Sequence, residues 1–263
     1  MTVLEVRHVG TTAVVTMNRP EQRNALDMTM RDAFAEVIPA LRDDKAVKAI
    51  VLTGAGGHFC AGGDVKAIAA GQGGERDIFE GRERIRKIHR WSDELIDMEK
   101  PVIAAVDGVA FGAGLSLALC ADFILASKRA TFCSVFSRIG FVPDVGALYL
   151  LPRWIGLARA KELVFSARVV KADEALDLGL LHSISEDDVV ADAIALANRF
   201  AHAPTDAIGA AKTVMNRAFE SDRHTVHAQE AMLQAMCRES AYHQEAVRRF
   251  IDKEPAKGRK SVV

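Results

Sequence analysis

The chain has 263 residues, 49% of them hydrophobic and 26% charged, with a formal net charge of -1. That balance excludes an intrinsically disordered chain and leaves enough apolar residues for one sizeable core with a smaller appendage. Near neutrality also excludes a long-range field for nucleic acid or an anionic membrane, so an anionic ligand has to be held by local groups.

The opening residues pair a β-rich run, Thr2 to Val9, with a second, Thr12 to Met17, across Gly10 and Thr11, which predicts a hairpin. Asn18, Arg19 and Pro20 break it. From Met28, the residues Met30, Phe34, Val37, Ile38 and Leu41 recur at helical spacing, and Val47 to Leu52 follows as a short buried strand. A glycine-rich loop from Gly54 to Gly63 leads to Asp64, predicted to cap a helix, and then to a charged helical segment from about Glu75 to Met98. Pro101 to Val106 reads as a buried strand, Gly112 to Cys120 as a small-residue helix, and Phe123 to Ala126 as another strand. From Leu157 onward the strand signal fades, and helices are predicted over 159–166, 172–178, 187–200, 205–219, 223–238 and 243–251. The expected organisation is α/β, with a mixed core over 1–200 and a helical region over 201–263, part of whose surface is expected to join subunits.

The four cysteines, Cys60, Cys120, Cys133 and Cys237, have no disulfide-frame or zinc-knuckle spacing and read as reduced thiols. No basic start with an apolar stretch opens the chain and no apolar run reaches spanning length, so a cytoplasmic protein without membrane contact is expected. The eight histidines show no ligand spacing, predict no metal, and read mostly as surface residues.

Two stretches carry the chemistry. In each, a strand runs into glycine and small residues ahead of a helix start: Gly54 to Lys66, and Asp107 to Ala118. Free backbone N–H groups at such turns can aim two donors at one oxygen. On glycine content alone, tight turns and close helix packing are the better explanation of both stretches. Other patterns are weaker. Phe59 stands where a dinucleotide fingerprint needs its third glycine. Ser116, faintly reminiscent of a nucleophile elbow, lies ten residues past Val106 and therefore inside a helix. The basic cluster Arg82, Arg84, Arg86, Lys87 and Arg90 is interleaved with acidic residues and reads as a solvated face, with no nucleic acid partner expected.

The segments Phe59 to Lys66 and Gly108 to Gly114 together resemble the two signatures of the crotonase (enoyl-CoA hydratase/isomerase) family. Asn18-Arg19-Pro20, Asn24-Ala25-Leu26, Asp122, Pro143 to Gly146 and Ala175 to Leu180 follow in the family's order, so the resemblance spans nearly the whole chain. It implies a spiral of ββα turns, a homotrimer or dimer of trimers, and an acyl-CoA thioester as substrate with no separate cofactor. It further implies an oxyanion hole made by the N–H groups of Gly63 and Ala113, and coenzyme A beside Arg23, Ala25, Ala61, Asp64 and Val65. Near the end, Phe250, Lys253 and Lys257 fall where such proteins touch the adenine or phosphates, often across a subunit boundary.

The chain departs from the hydratase pattern. The two glutamates of the hydratases fall here at Ser116 and Phe136, both expected to line the pocket as wall residues. Asp144 instead matches the aspartate of dienoyl-CoA isomerases and is the candidate base, although an Asp after Pro and before an apolar helix is also a natural N-cap. The expected activity is double-bond isomerisation of an enoyl- or dienoyl-CoA. Hydration by a different acid/base set and a non-catalytic binding role are the alternatives.

Overall fold

The computed structural model describes residues 2–64 and 78–254. The opening hairpin forms as predicted, β1 (Leu4–Val9) against β2 (Thr12–Met17), antiparallel with Gly10 at φ 59 in the turn. It is followed by α1 (Met28–Asp43), β3 (Ala49–Gly54), α2 (Ile78–Ile96), β4 (Val102–Val106), β5 (Val109–Phe111), α3 (Ala113–Leu119), β6 (Phe123–Ser127) and β7 (Thr131–Cys133). Asp27 caps α1 by accepting from the Met30 N–H at 2.8 Å. The predicted helix after Asp64 and the Glu75 end of the charged segment lie outside the described residues.

β1, β2, β3, β4, β6 and β9 (Ser183–Ser185) form one six-stranded sheet in that order, parallel beyond the hairpin. β5, β7 and β8 (Val170–Lys171) form a second, three-stranded sheet. Two short strands thus lie beyond Leu157, where the strand signal of the sequence fades. β8 and β9 are two and three residues long, too short to show an alternation, and β9 is recruited by pairing Leu125, Ala126 and Ser127 of β6 with residues 183–185.

The two-residue period of the strands divides the packing. Ile50, Leu52, Val102, Ala104 and Val106 face the main core, where Phe34 of α1 stacks on Trp91 of α2 with ring centroids 4.9 Å apart. Ala49, Val51, Ile103 and Ala105 face the other way, against Val189, Ala193 and Ala197 of a later helix (Val189–Asn198).

Between β7 and that helix lie a 3-10 turn (Val135–Ile139), α4 (Ala147–Ile155), α5 (Leu157–Ser166) and α6 (Ala172–Asp177), so Val189–Asn198 is α7. Then come α8 (Thr205–Asn216), α9 (Arg223–Arg238) and α10 (Ala241–Ile251). α8 is fixed to the core: the Lys212 ammonium donates to Asp122 at 2.8 Å, and the Asn216 amide donates to the Ile96 carbonyl at 3.0 Å. α9 and α10 bury no residue in the monomer and expose Met232, Met236, Tyr242, Val247, Phe250 and Ile251. Among the described residues no helix is long and apolar enough to cross a membrane.

Candidate active site

β3 and β4 are parallel neighbours, so the loops leaving their carboxyl ends emerge side by side. The loops are then stitched together. Phe59 N–H donates to the Asp107 carbonyl at 2.7 Å, Cys60 N–H to Val109 at 2.9 Å, and Phe111 N–H back to Cys60 at 3.0 Å. The approach is close enough to demand glycine at Gly114, where a Cβ would sit 2.8 Å from the Cys60 carbonyl carbon. Gly62, at φ 99, lies against the Phe111 carbonyl and the Ala113 nitrogen on the same grounds.

This stitching brings Gly63 and Ala113 onto one cavity of about 690 Å³. Leu26 N–H bonds the Gly62 carbonyl at 2.8 Å, but the Gly63 N–H has no backbone acceptor among the described residues. Ala113 is the first residue of α3, following Gly112, so its N–H has no intrahelical acceptor either. Two backbone N–H groups without an acceptor among the described residues therefore belong to residues that line one cavity.

Asp144 enters the same cavity from the loop between the 3-10 turn and α4. The N-cap alternative is corrected: α4 is capped by Gly146 at φ 79 with no side-chain bond, and it is the Asp144 carbonyl, not its carboxylate, that accepts from Ala147 N–H at 3.1 Å. The turn is made by Val145, a buried β-branched residue at φ 52, a conformation that costs on the order of 1 to 3 kcal/mol and tends to mark functional sites. The Asp144 Oδ1 atom is buried without a hydrogen-bond partner among the described residues. Burial raises the Asp144 pKa above the ordinary carboxylate value, opposed in part by the positive charge of Arg31, the residue's own backbone N–H, and His89.

The other two carboxylates on the cavity wall have structural duties. Asp27 caps α1 and pairs with Arg19 at 3.1 Å, and Asp64 pairs with the same guanidinium at 3.5 Å. Arg19 also donates to the Ala25 carbonyl at 2.6 Å, which fixes the segment 23–27 beside the loop. Asn24, fully buried at φ 57, holds that segment to the first loop by donating to the carbonyls of Ala55 and His58.

Of the residues expected at the site, Gly63, Ala113, Asp144, Ala61, Asp64 and Phe136 line the cavity. Arg23 and Ala25 flank it: the Arg23 carbonyl accepts from Ala61 N–H at 2.9 Å, and neither side chain is on the wall. Val65 lies outside the described residues. Ser116 is corrected: it is fully buried, its hydroxyl turns back to the Gly112 carbonyl at 3.2 Å, and it is not on the wall. That geometry leaves no exposed serine nucleophile there. Phe250 is 86% exposed on α10, and neither it nor Lys253 reaches the cavity within this chain. Lys257 lies outside the described residues.

Sequence reasoning missed Arg31 and His89, both on the cavity wall. Arg31 sits one turn into α1, and its buried Nε–H has no partner. Cys60, although adjacent, is not a nucleophile, since burial pushes its thiol up to about 12.

The overall architecture matches solved crotonase-fold structures. An enoyl-CoA hydratase/isomerase from Cupriavidus metallidurans CH34 superposes with a TM-score of 0.91 at 36% identity, covering 99% of both chains. The family model for enoyl-CoA hydratase/isomerase matches residues 8–259. The chain belongs to the enoyl-CoA hydratase/isomerase family, and is an acyl-CoA enzyme of that family. Similar curated proteins carry both activities. The 1,2-epoxyphenylacetyl-CoA isomerase of Escherichia coli K12 is 35% identical over 241 residues, 91% of each chain. The short-chain-enoyl-CoA hydratase of Clostridium acetobutylicum is 34% identical over 254 residues, 96% of this chain and 95% of that one.

Proposed function

We propose that this enzyme is a double-bond isomerase of enoyl- or dienoyl-CoA thioesters. The Gly63 and Ala113 N–H groups hold the thioester oxygen as the enolate forms, and Asp144 takes the proton from carbon. The observation that carries this reading is the state of Asp144. Among the described residues it is the one cavity carboxylate without an ion pair or cap contact, and its Oδ1 is buried and unpartnered in the cavity that Gly63 and Ala113 also line. Burial that raises its pKa also strengthens it as a base, and the enolate needs no second carboxylate to exist.

Coenzyme A, as part of the substrate, then lies along Arg23, Ala25, Ala61 and Asp64, where main-chain contacts dominate. The exposed apolar faces of α9 and α10, with Phe250 and Lys253, belong in this reading to a subunit interface of a trimer or a dimer of trimers. Hydration is the second reading, favoured by the hydratase relatives and disfavoured by Ser116 and Phe136 at the glutamate positions. The test is a parallel assay of 3-enoyl-, dienoyl- and 2-enoyl-CoA, following bond migration and hydration separately. Migration without hydration supports the proposal, fast hydration overturns it in favour of the second reading, and silence on all three favours a binding protein.

A further inference from the structure

Six titratable side chains line the cavity among the described residues: Asp27, Arg31, Asp64, Arg84, His89 and Asp144. Asp27 and Asp64 are committed to Arg19. Guanidinium groups such as those of Arg31 and Arg84 can tune a charge but are not used as proton carriers. That leaves His89, half-buried on the inward face of α2, as the one cavity group besides Asp144 able both to give and to take a proton. The two act on each other electrostatically, yet no hydrogen bond or ion pair joins them, and Asp144 Oδ1 stays unpartnered. Both line the cavity that Gly63 and Ala113 also line.

Resting on the isomerase reading above, we infer that His89 is a second proton carrier, so that the proton removed and the proton delivered are handled by different groups. For a 3-enoyl thioester, Asp144 takes the C2 proton while the C2–H electron pair moves into a dienolate whose oxygen is held by Gly63 and Ala113. Protonated His89 gives its proton to C4, the electron pair returns, and the C2–C3 double bond forms. Asp144 then loses its proton to water and His89 regains one, so no net charge or redox change remains. The charged groups that share the cavity wall with His89 are Arg31 of α1, Asp27 at the N-cap of α1, Arg84 of α2, Asp64 of the first loop, and Asp144. Asp93, one turn further along α2, and Asp144 are the carboxylates that the imidazole charge acts on.

The two-group device has an isotopic signature that a single shuttling carboxylate lacks. With C2-deuterated 3-enoyl-CoA in ordinary water, the wild-type enzyme is expected to lose the label to solvent and place a solvent hydrogen at C4. His89→Gln, checked for folding by its melting temperature and with His89→Asn as a second variant, is expected to turn over roughly 100-fold more slowly. It is also expected to carry deuterium from C2 to C4, because Asp144 alone then does both steps. Wild-type turnover and an unchanged label partition in both His89 variants would overturn the inference while leaving Asp144 as the base. Wild-type turnover in Asp144→Asn would instead sink the isomerase reading itself, so the two failures are distinguishable.

Discussion

The closeness of the two loops makes a sharp prediction at Gly114, whose side chain would touch no substrate. A Cβ there would lie 2.8 Å from the Cys60 carbonyl carbon and 2.9 Å from the Cys60 Cβ, where ordinary contacts begin near 3.4 Å. Gly114→Ala must therefore push the loops apart by half an ångström or more. Gly63 follows Cys60 by three residues and Ala113 directly precedes Gly114, so the gap opens between the two donors. Sites of this kind tolerate about 0.5 Å before function suffers, and one lost oxyanion donor costs about 2.7 to 4 kcal/mol. The expected result is a fall in kcat of about 100-fold or more, with a smaller change in KM, measured by steady-state isomerisation on protein whose circular dichroism is native. A folded Gly114→Ala enzyme within threefold of wild type would refute the coupling of the loops to the donors. Ala113→Pro gives the complementary experiment: proline fits the first position of a helix and only lacks the N–H. It is expected to cost about 100- to 1,000-fold in kcat at little expense in melting temperature.

Three further outcomes follow from the same contacts. Asp144→Asn is expected to raise the melting temperature at neutral pH while lowering turnover. The folded pKa of Asp144 is raised by burial above the ordinary carboxylate value of 3.8, so the ionised carboxylate costs native stability above the raised value. That cost fades as pH falls through it, and the stability difference between the two proteins should vanish below 3.8; an acid-to-neutral melting series checks both limbs. Asn24→Ala strands the Ala55 and His58 carbonyls and the Arg19 N–H, at about 1 kcal/mol for each of the three bonds in urea titration, with the loss of a left-handed position that Asn tolerates better. Lys212→Met leaves the half-buried Asp122 with Val102 N–H as its remaining donor among the described residues, and is expected to destabilise by about 1 to 3 kcal/mol in the same titration.

The regular elements were legible where apolar periodicity was long enough, as in α1 and α2, or where a buried run was bounded by glycine, as in β3 and β4. β8 and β9 were not, because so few residues carry no period and their pairing is decided by a sheet edge built elsewhere. The two glycine loops could be read as candidate donors, but only their stitching through Cys60, Val109 and Phe111 places those donors on one cavity. Ser116 showed the opposite error: it falls at a family position, yet the helix turns its hydroxyl back to Gly112. His89 and Arg31 sit in charged helical stretches whose composition predicts solvent, and only the meeting of α1, α2 and the Asp144 loop turns them inward. A histidine on the apolar side of α2, one residue past Ile88, is the one local signal that could have singled it out.

The central claim is that Asp144 moves the proton, and its most direct test is isomerisation by Asp144→Asn against wild type, with acyl-CoA affinity measured in parallel. The account predicts retained binding with turnover lowered by about 100- to 10,000-fold. Retained binding with unchanged turnover would contradict it.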